Sequence, residues 1–410
     1  MKVQFVVLLL ARILASGLQA LAVVFLARWV GTETFGSVSI IMGVGTVPFT
    51  LADWGLSSYI PRARAKGHNH EVATGLRMNL AGNLAAGALF TVVLAVLAAV
   101  PDVPPWLCAL PLACAVDQFT EAGLTVPVAD RSKATVVVSI LLRRALALGA
   151  FVGLYLLGVE ALQAYASGLL ASAAAGWLHI HRVLKRRVGR VPDRAGARAM
   201  YKALAPVLVA NLSTASRTLD SAIVGAVTSV HAAGLYSAAS KVTRPLMLVG
   251  SSAVAVVLPH AARQPLHVAK HLGRRLTAAA LLFSIPLVPV ILLAEPIVTF
   301  LFGPEYADAA PAFAWAAAAM PFLSLSPPLG GILQSQGFQA FVARNGMVFA
   351  VLTLALVWAG AVAWGAGGAA AGITVAYVLK SAALFVRLQR AEAPLAAPAG
   401  PGHQEAAAAR

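Results

Sequence analysis

Residues 211–225 read "NLSTASRTLDSAIVG". They lie within a long apolar run, after "ALAPVLVA" (203–210) and leading into "AIVGAV" (222–227), and Arg217 and Asp220 interrupt it. A charge at the centre of a bilayer costs about 2.5–3.5 kcal/mol even on the lenient insertion scale. An arginine and an aspartate in such a place need a reason, and the rest of the chain supplies the setting for one.

Of the 410 residues, 60% are hydrophobic and 11% charged, and the mean hydropathy is +0.81. Soluble domains carry about 25% charged residues. Apolar stretches of about 20 residues, each long enough to cross a bilayer as a helix, recur along the chain. The sequence therefore predicts an all-α polytopic membrane protein. Cys108 and Cys114 are spaced so that they share no helical face, and they read as small core residues with no disulfide or metal site. The N-terminus "MKVQFVVLLLARILASGLQALA" has the outline of a signal peptide. Arg12 breaks its apolar core, however, and the apolar run continues to Phe25, which favours a first transmembrane helix.

Polar punctuation predicts twelve spans: 3–27, 35–60, 77–100, 104–127, 134–157, 159–181, 203–227, 231–259, 274–295, 308–334, 343–365 and 367–388. Alternate connections are basic, among them "RARAKGHNHEVATGLR" (62–77), "DRSK" (130–133), "RVLKRRVGRVPDRAGARAMYK" (182–202) and "HAARQPLHVAKHLGRR" (260–275). The opposite ones, such as "GTET", "GVE" and "GPEYAD", are short and neutral or acidic, with Arg28 as their one cation. The positive-inside rule places the basic connections and both termini in the cytoplasm. It also accounts for the net charge of +16 without nucleic-acid binding.

The longest connection splits the chain into a six-helix lobe over 1–181, a basic cytoplasmic linker over 182–202 and a second six-helix lobe over 203–390. An Ala/Pro/Gly-rich tail over 391–410 is expected to be disordered. One constant shift lays Gly36 on Gly234, Pro61 on Pro259 and Ala63 on Ala261, and brings Pro48 within one position of Pro245. An even number of spans per half makes these parallel repeats about an axis along the membrane normal, a transporter architecture with a central cavity. Pro48 and Pro245, both mid-span, are candidate hinges.

The intramembrane charges fall into three sets at matched depth, at a rise of about 1.5 Å per residue. Arg12 and Asp53 form the first. Asp117 and Glu121, one turn apart, meet Arg143 and Arg144 in the second, which reads as a structural set. The third joins Arg217 and Asp220 to Lys241 and Arg244, three cations against one acid. Its surplus of positive charge calls for an anion, and the planar fork of arginine suits phosphate.

Three stretches carry a family resemblance: "GTETFGSVSIIMGVGTVPFTLADWGL" (31–56), "LDSAIVGAVTSVHAAGLYSAASKV" (219–242) and "LFGPEYADAAPAF" (301–313). The chain resembles the polysaccharide (O-antigen and exopolysaccharide) flippases, in the superfamily that also holds the multidrug and toxin extruders and the lipid II flippases. The resemblance implies two lobes around a central cavity bordered by helices 1, 2, 7 and 8. The implied substrate is a polyprenyl-pyrophosphate-linked oligosaccharide, moved across the cytoplasmic membrane without cofactor or metal. Arg12, Arg217, Lys241 and Arg244 are then the substrate-binding candidates. Asp53, Asp117, Glu121 and Asp220 are charge partners or sites for a coupling ion. Membrane lipids are expected partners, as are a polysaccharide polymerase and export machinery; an oligomer is not required. The rivals are a multidrug or cation antiporter on the same fold, which wants a net acidic cavity, a membrane enzyme, which wants longer external loops, and a scaffold protein, which wants fully paired charges.

Overall fold

The structure, a computed structural model, describes residues 2–97, 105–189, 196–243 and 265–391. These are helical throughout, with no strand among the described residues. The elements are α1 (Lys2–Asp53), α2 (Leu56–Ala65), α3 (Asn69–Leu97), α4 (Leu110–Ala129), α5 (Lys133–Leu156), α6 (Ala161–Arg187), α7 (Ala197–Ala215), α8 (Asp220–Val227) and α9 (Val230–Thr243). After the segment 244–264 come α10 (Leu266–Phe283), α11 (Leu287–Leu292), α12 (Ala294–Phe302), α13 (Ala310–Ser335) and α14 (Gln339–Arg390). Among the described residues, five helical stretches are long and apolar enough to cross a membrane by length and composition alone.

Two of these helices are hairpins joined at a single break. In α1 the backbone leaves helical geometry only at Gly31 (φ 76°), so the helix passes Pro48 with helical dihedral angles. In α14 the break is at Trp364 and Gly365. Both breaks fall in the short neutral connections of the sequence.

Three expected spans are interrupted. The span 35–60 stops at Asp53, turns through Trp54 (φ 49°) and Gly55 (φ 83°), and restarts as α2. The cause is local: the Asp53 carboxylate accepts from the Ser57 and Gly55 N–H groups at 3.1 and 3.2 Å, as a helix cap does. The left-handed Trp54 is held by its indole N–H, which donates to the Tyr201 carbonyl at 2.9 Å, and by edge-on packing against the Tyr201 ring. The span 203–227 tightens into a 3₁₀ turn at Ser216–Leu219 between α7 and α8. The span 274–295 breaks at 284–286, where Pro286 sits at the N-cap of α11, and again at Leu293; proline supplies no N–H to continue the helix.

The apolar core is divided unequally. At the end carrying Glu305, one cluster joins residues from both sequence repeats, including Leu26, Phe35, Phe151, Tyr236, Phe302 and Val357. At the basic end there are two further clusters among the described residues. One gathers Leu56, Leu76, Phe119 and Ile180 of the first repeat with Met200 and Leu204 from the start of α7. The other gathers Ala269, Leu329, Leu333 and Leu388 of the second repeat. Among the described residues, the bundle is thus tied broadly at the Glu305 end, while at the other end the first-repeat cluster reaches the second repeat through α7.

The tie is built on repeat-related residues. A Cβ on Gly36 would collide with the Val230 carbonyl, and one on Gly234 with the Thr32 carbonyl. Only glycine permits this backbone approach. Around it, Thr32 Oγ1 and His231 Nδ1 are hydrogen-bonded at 2.8 Å, and the buried Tyr306 hydroxyl donates to the Ala27 carbonyl at 3.0 Å.

Candidate functional site

Three cavities that share lining residues lie between and within the repeats. The central one, about 550 Å³, is walled by both repeats, with Asp53, Gln118, Asn211, Asp220 and Tyr377 among its polar lining. A second, about 360 Å³, runs between α1, the 216–219 turn and α9, and holds Ser39, Thr218, Ser221 and Lys241. A third, about 210 Å³, lies within the first repeat and holds Asp117, Gln118 and Arg144. Thr46 lines all three.

The sequence explains this placement. Gly43 on α1 has no side chain where the Thr218 carbonyl approaches, and Thr218 Oγ1 donates back to the Gly43 carbonyl at 3.3 Å. The tight turn that carries Arg217 is thereby pressed onto the second half of α1. The turn also starts α8 at Asp220, whose side chain is buried. Tyr236 Oη donates to Asp220 Oδ2 at 2.7 Å, and the Ser221 N–H donates to Oδ1 at 2.8 Å. Lys241 Nζ donates to Ser39 Oγ at 2.7 Å and lies 4.9 Å from the centroid of the Phe35 ring, a cation–π distance.

The predicted charge sets separate in space. Asp53 lines the central cavity, and its partners are Ser57, Gly55 and Asn79, whose Nδ2 donates at 2.8 Å; the expected pairing with Arg12 is not formed. Arg12 is exposed on α1 and belongs to none of the three cavities. Lys241 lines the second cavity. Arg217 is in the 3₁₀ turn, but its side chain lies outside the described residues, as do Arg244 and Pro245 altogether.

The second set splits between two neighbours. Arg143 is buried, and its guanidinium is bonded to both Asp117 and Glu121. Gly176 of α6 packs on its stem, and Ser172 Oγ donates to its carbonyl at 2.8 Å. This half of the set forms an ion-pair cluster inside the first repeat. Arg144, the next residue, points elsewhere because successive side chains on a helix are about 100° apart. It lines the cavity within the first repeat, with Asp117 Oδ2 at 3.9 Å. Sequence reasoning paired the two arginines; the periodicity signal that separates them was present in the i, i+1 spacing.

Missed by the charge analysis were the neutral polar residues that line the cavities, among them Thr46, Gln118, Asn211 and Thr218. So was Tyr306, which sits in the quoted turn "GPEYAD" and seals the Glu305 end. Both cysteines are free, and no cluster with metal-ligand composition occurs among the described residues.

A family model for polysaccharide biosynthesis proteins matches residues 25–311. The chain belongs to that family. Its fold is that of the superfamily to which the sequence motifs pointed. An inward-facing multidrug resistance MATE family transporter of the MOP superfamily superposes with a TM-score of 0.71 at 15% identity, covering 91% of this chain and 94% of that one. The lipid II flippase MurJ in an inward closed conformation gives 0.64 at 12% identity, covering 94% and 87%. A MATE transporter of Vibrio cholerae gives 0.60 at 11%, covering 95% and 98%. No curated protein sequence matches the chain. This member of the polysaccharide biosynthesis family is therefore a polytopic membrane protein of transporter fold, and the proteins it resembles are transporters and flippases.

Proposed function

We propose that the protein is a flippase that moves a polyprenyl-diphosphate-linked oligosaccharide across the cytoplasmic membrane by alternating access of two six-helix lobes. The observation that carries this reading is membership of the polysaccharide biosynthesis family over residues 25–311. The likeness to a lipid II flippase supports it, since that protein's name describes a lipid-linked substrate. The unequal core supports the mechanism. Among the described residues, the broad shared cluster at the Glu305 end and the narrower junction through α7 at the basic end are in keeping with a molecule closed on one side. The positive-inside rule makes the closed side external.

In this reading the diphosphate is held by Lys241 in the second cavity together with Arg217 and Arg244, with Arg12 as a contact nearer the cytoplasm. Charge-assisted hydrogen bonds to phosphate are strong where water is excluded. Asp220 orients the cluster, and Asp53, Asp117 or Glu121 are candidates for a coupling ion. Pro48 and Pro245 are candidate hinges for the rocking motion.

One observation favours a second reading. The ionisable lining of the central cavity among the described residues is Asp53, Asp220 and two tyrosines, which would suit a cationic substrate and a drug antiporter. Deleting the gene separates the two. Accumulation of a lipid-linked saccharide, with loss of the cell-surface polymer, supports the flippase. Unchanged surface polymer with increased sensitivity to cationic drugs supports the antiporter. Restoration of surface polymer by an Arg217→Ala, Arg244→Ala double variant at full level would remove the anion site from the proposal.

A further inference from the structure

The cavity within the first repeat is chemically unlike the other two. Arg144 from α5 and Asp117 from α4 line it with opposite charges 3.9 Å apart. Two amides join them, Gln19 from α1 and Gln118 from α4, both exposed. The rest of the lining is mainly aliphatic, with three aromatic residues, Phe49, Phe90 and Tyr165, among it.

Charge balance indicates what such a pocket would take. Asp117 and Glu121 carry two negative charges, and Arg143 and Arg144 carry two positive ones. The group is neutral, so it offers no net attraction to an anion. Arg143 holds both carboxylates through its two terminal nitrogens, whereas the Arg144 guanidinium has five donors and one loose ion pair at 3.9 Å. The Gln19 and Gln118 side chains add both donors and acceptors. A neutral pocket with several donors and acceptors and with aromatic rings among its apolar lining matches a pyranose ring. Its hydroxyls are at once donors and acceptors, and its C–H face packs on aromatic carbon. Apolar lining with a few placed polar groups is the usual build of a small-ligand pocket.

Connectivity places this pocket beside the proposed anion site. Gln19 and Tyr165 also line the cavity that holds Lys241. Gln118 and Phe49 also line the central cavity. A group held at Lys241 could thus extend past Gln19 into the first repeat without leaving the protein.

We infer that this pocket binds a neutral sugar ring of the transported lipid-linked saccharide, with Arg144, Gln118 and Gln19 as its hydrogen-bonding residues. The inference rests on the flippase reading, and it assigns the sugar and the diphosphate to different compartments. Selectivity for the glycan then resides in the first repeat, and affinity for the lipid diphosphate resides at the junction of the repeats.

The test uses the full-length protein in lipid nanodiscs, with two probes: glycosylated polyprenyl diphosphates extracted from the cells that make the protein, and bare polyprenyl diphosphate. Binding is read by native mass spectrometry in direct competition. Wild type should prefer the glycosylated lipid. Gln118→Ala, on an exposed side chain, and Arg144→Lys, which keeps the charge but loses the fork, should each reduce that preference about tenfold, the effect of losing one well-placed hydrogen bond, with bare-lipid binding unchanged. Lys241→Ala should weaken both probes alike. Equal binding of the two probes by wild type, or an undiminished preference in both pocket variants, would overturn the sugar pocket while leaving the flippase reading in place. Binding of neither probe by wild type would overturn both.

Discussion

Gly36 and Gly234 face one another across the helices that join the two repeats, each packed against the backbone of the other's helix. The relation is reciprocal: the position of a Cβ on Gly36 is taken by the carbonyl of Val230, and that of a Cβ on Gly234 by the carbonyl of Thr32. The shift that aligns Gly36 with Gly234 also aligns Thr32 with Val230, so the contact has local two-fold symmetry. A backbone wall cannot rotate aside as a side chain can, so any side chain here must part the helices. Gly36→Ala and Gly234→Ala should each favour the state open at the Glu305 end. A cysteine at Ser39, with Cys108 and Cys114 replaced by alanine, should then be labelled by an impermeant thiol reagent several-fold faster than in the glycine background. Unchanged labelling would show that the contact does not gate that end.

Tyr306 closes the same end by a different device. Its side chain is fully buried, packs beside Phe302 and edge-on to Phe35, and donates to the Ala27 carbonyl. Tyr306→Phe keeps the ring and removes the hydrogen bond. The expected loss is about 1 kcal/mol, the usual net contribution of such a bond, seen as a lower thermal midpoint of the purified protein. A midpoint equal to that of wild type would mean that packing alone holds the turn.

At the basic end, Asp130 clasps three connections of the first repeat. It accepts two hydrogen bonds from Arg64, at 2.8 and 3.1 Å, and one from Arg187 at 3.0 Å. Arg64 also donates to Asn69 at 2.6 Å. The hydrogen bond from Arg64, joined by that from Arg187, holds the Asp130 carboxyl below the ordinary carboxylate range. A depressed value in the folded state means that the stabilisation is present above the unfolded-state value of about 3.9 and is lost as pH falls through the folded one. Asp130→Asn should therefore lower the thermal midpoint at pH 7, and the gap to wild type should close only below about pH 4. A gap that is the same at pH 3 and pH 7 would assign the effect to shape rather than charge.

Much of this architecture was legible because bilayer physics writes it into composition. Apolar length and alternating basic connections marked the helices and their ends, and the quoted motifs marked the family. What escaped was local. Asp53 looked like a partner for a distant arginine because a depth argument sees charges and not caps; its real signal was the sequence Asp53-Trp54-Gly55-Leu56-Ser57, an acceptor followed by a turn glycine and a serine. Arg143 and Arg144 were grouped because depth ignores the angle between consecutive residues on a helix. The paired glycines were visible as a repeat, but nothing in one dimension said that the repeat-related residues touch.

The charge asymmetry predicts a topology that is open to direct measurement. A single cysteine at Ala307, in the acidic turn, should be modified from outside intact cells, and one at Gly196, in the basic connection, should be spared. The opposite pattern would invert the molecule and with it the direction of the proposed transport.

Asp53 offers the sharpest separation of structure from coupling. Its carboxylate lines the central cavity, which suits a residue that binds a proton or cation. Yet its oxygens are already occupied: Oδ1 accepts from the Ser57 N–H and hydroxyl and from Asn79, and Oδ2 from the Gly55 N–H. A carboxylate satisfied by four donors serves first to end one helix and begin the next. Asparagine can replace Oδ1 in that role, since it caps helices about as well as aspartate, whereas alanine costs about 1 kcal/mol at such a position. Asp53→Asn should then leave both membrane abundance and transport near wild type. Asp53→Ala should lower abundance, and transport should fall only in proportion. Normal abundance of Asp53→Asn with transport abolished would instead show that the charge itself is used in the cycle. Complementation of surface polysaccharide, scored beside protein level in the same membranes, distinguishes the two outcomes.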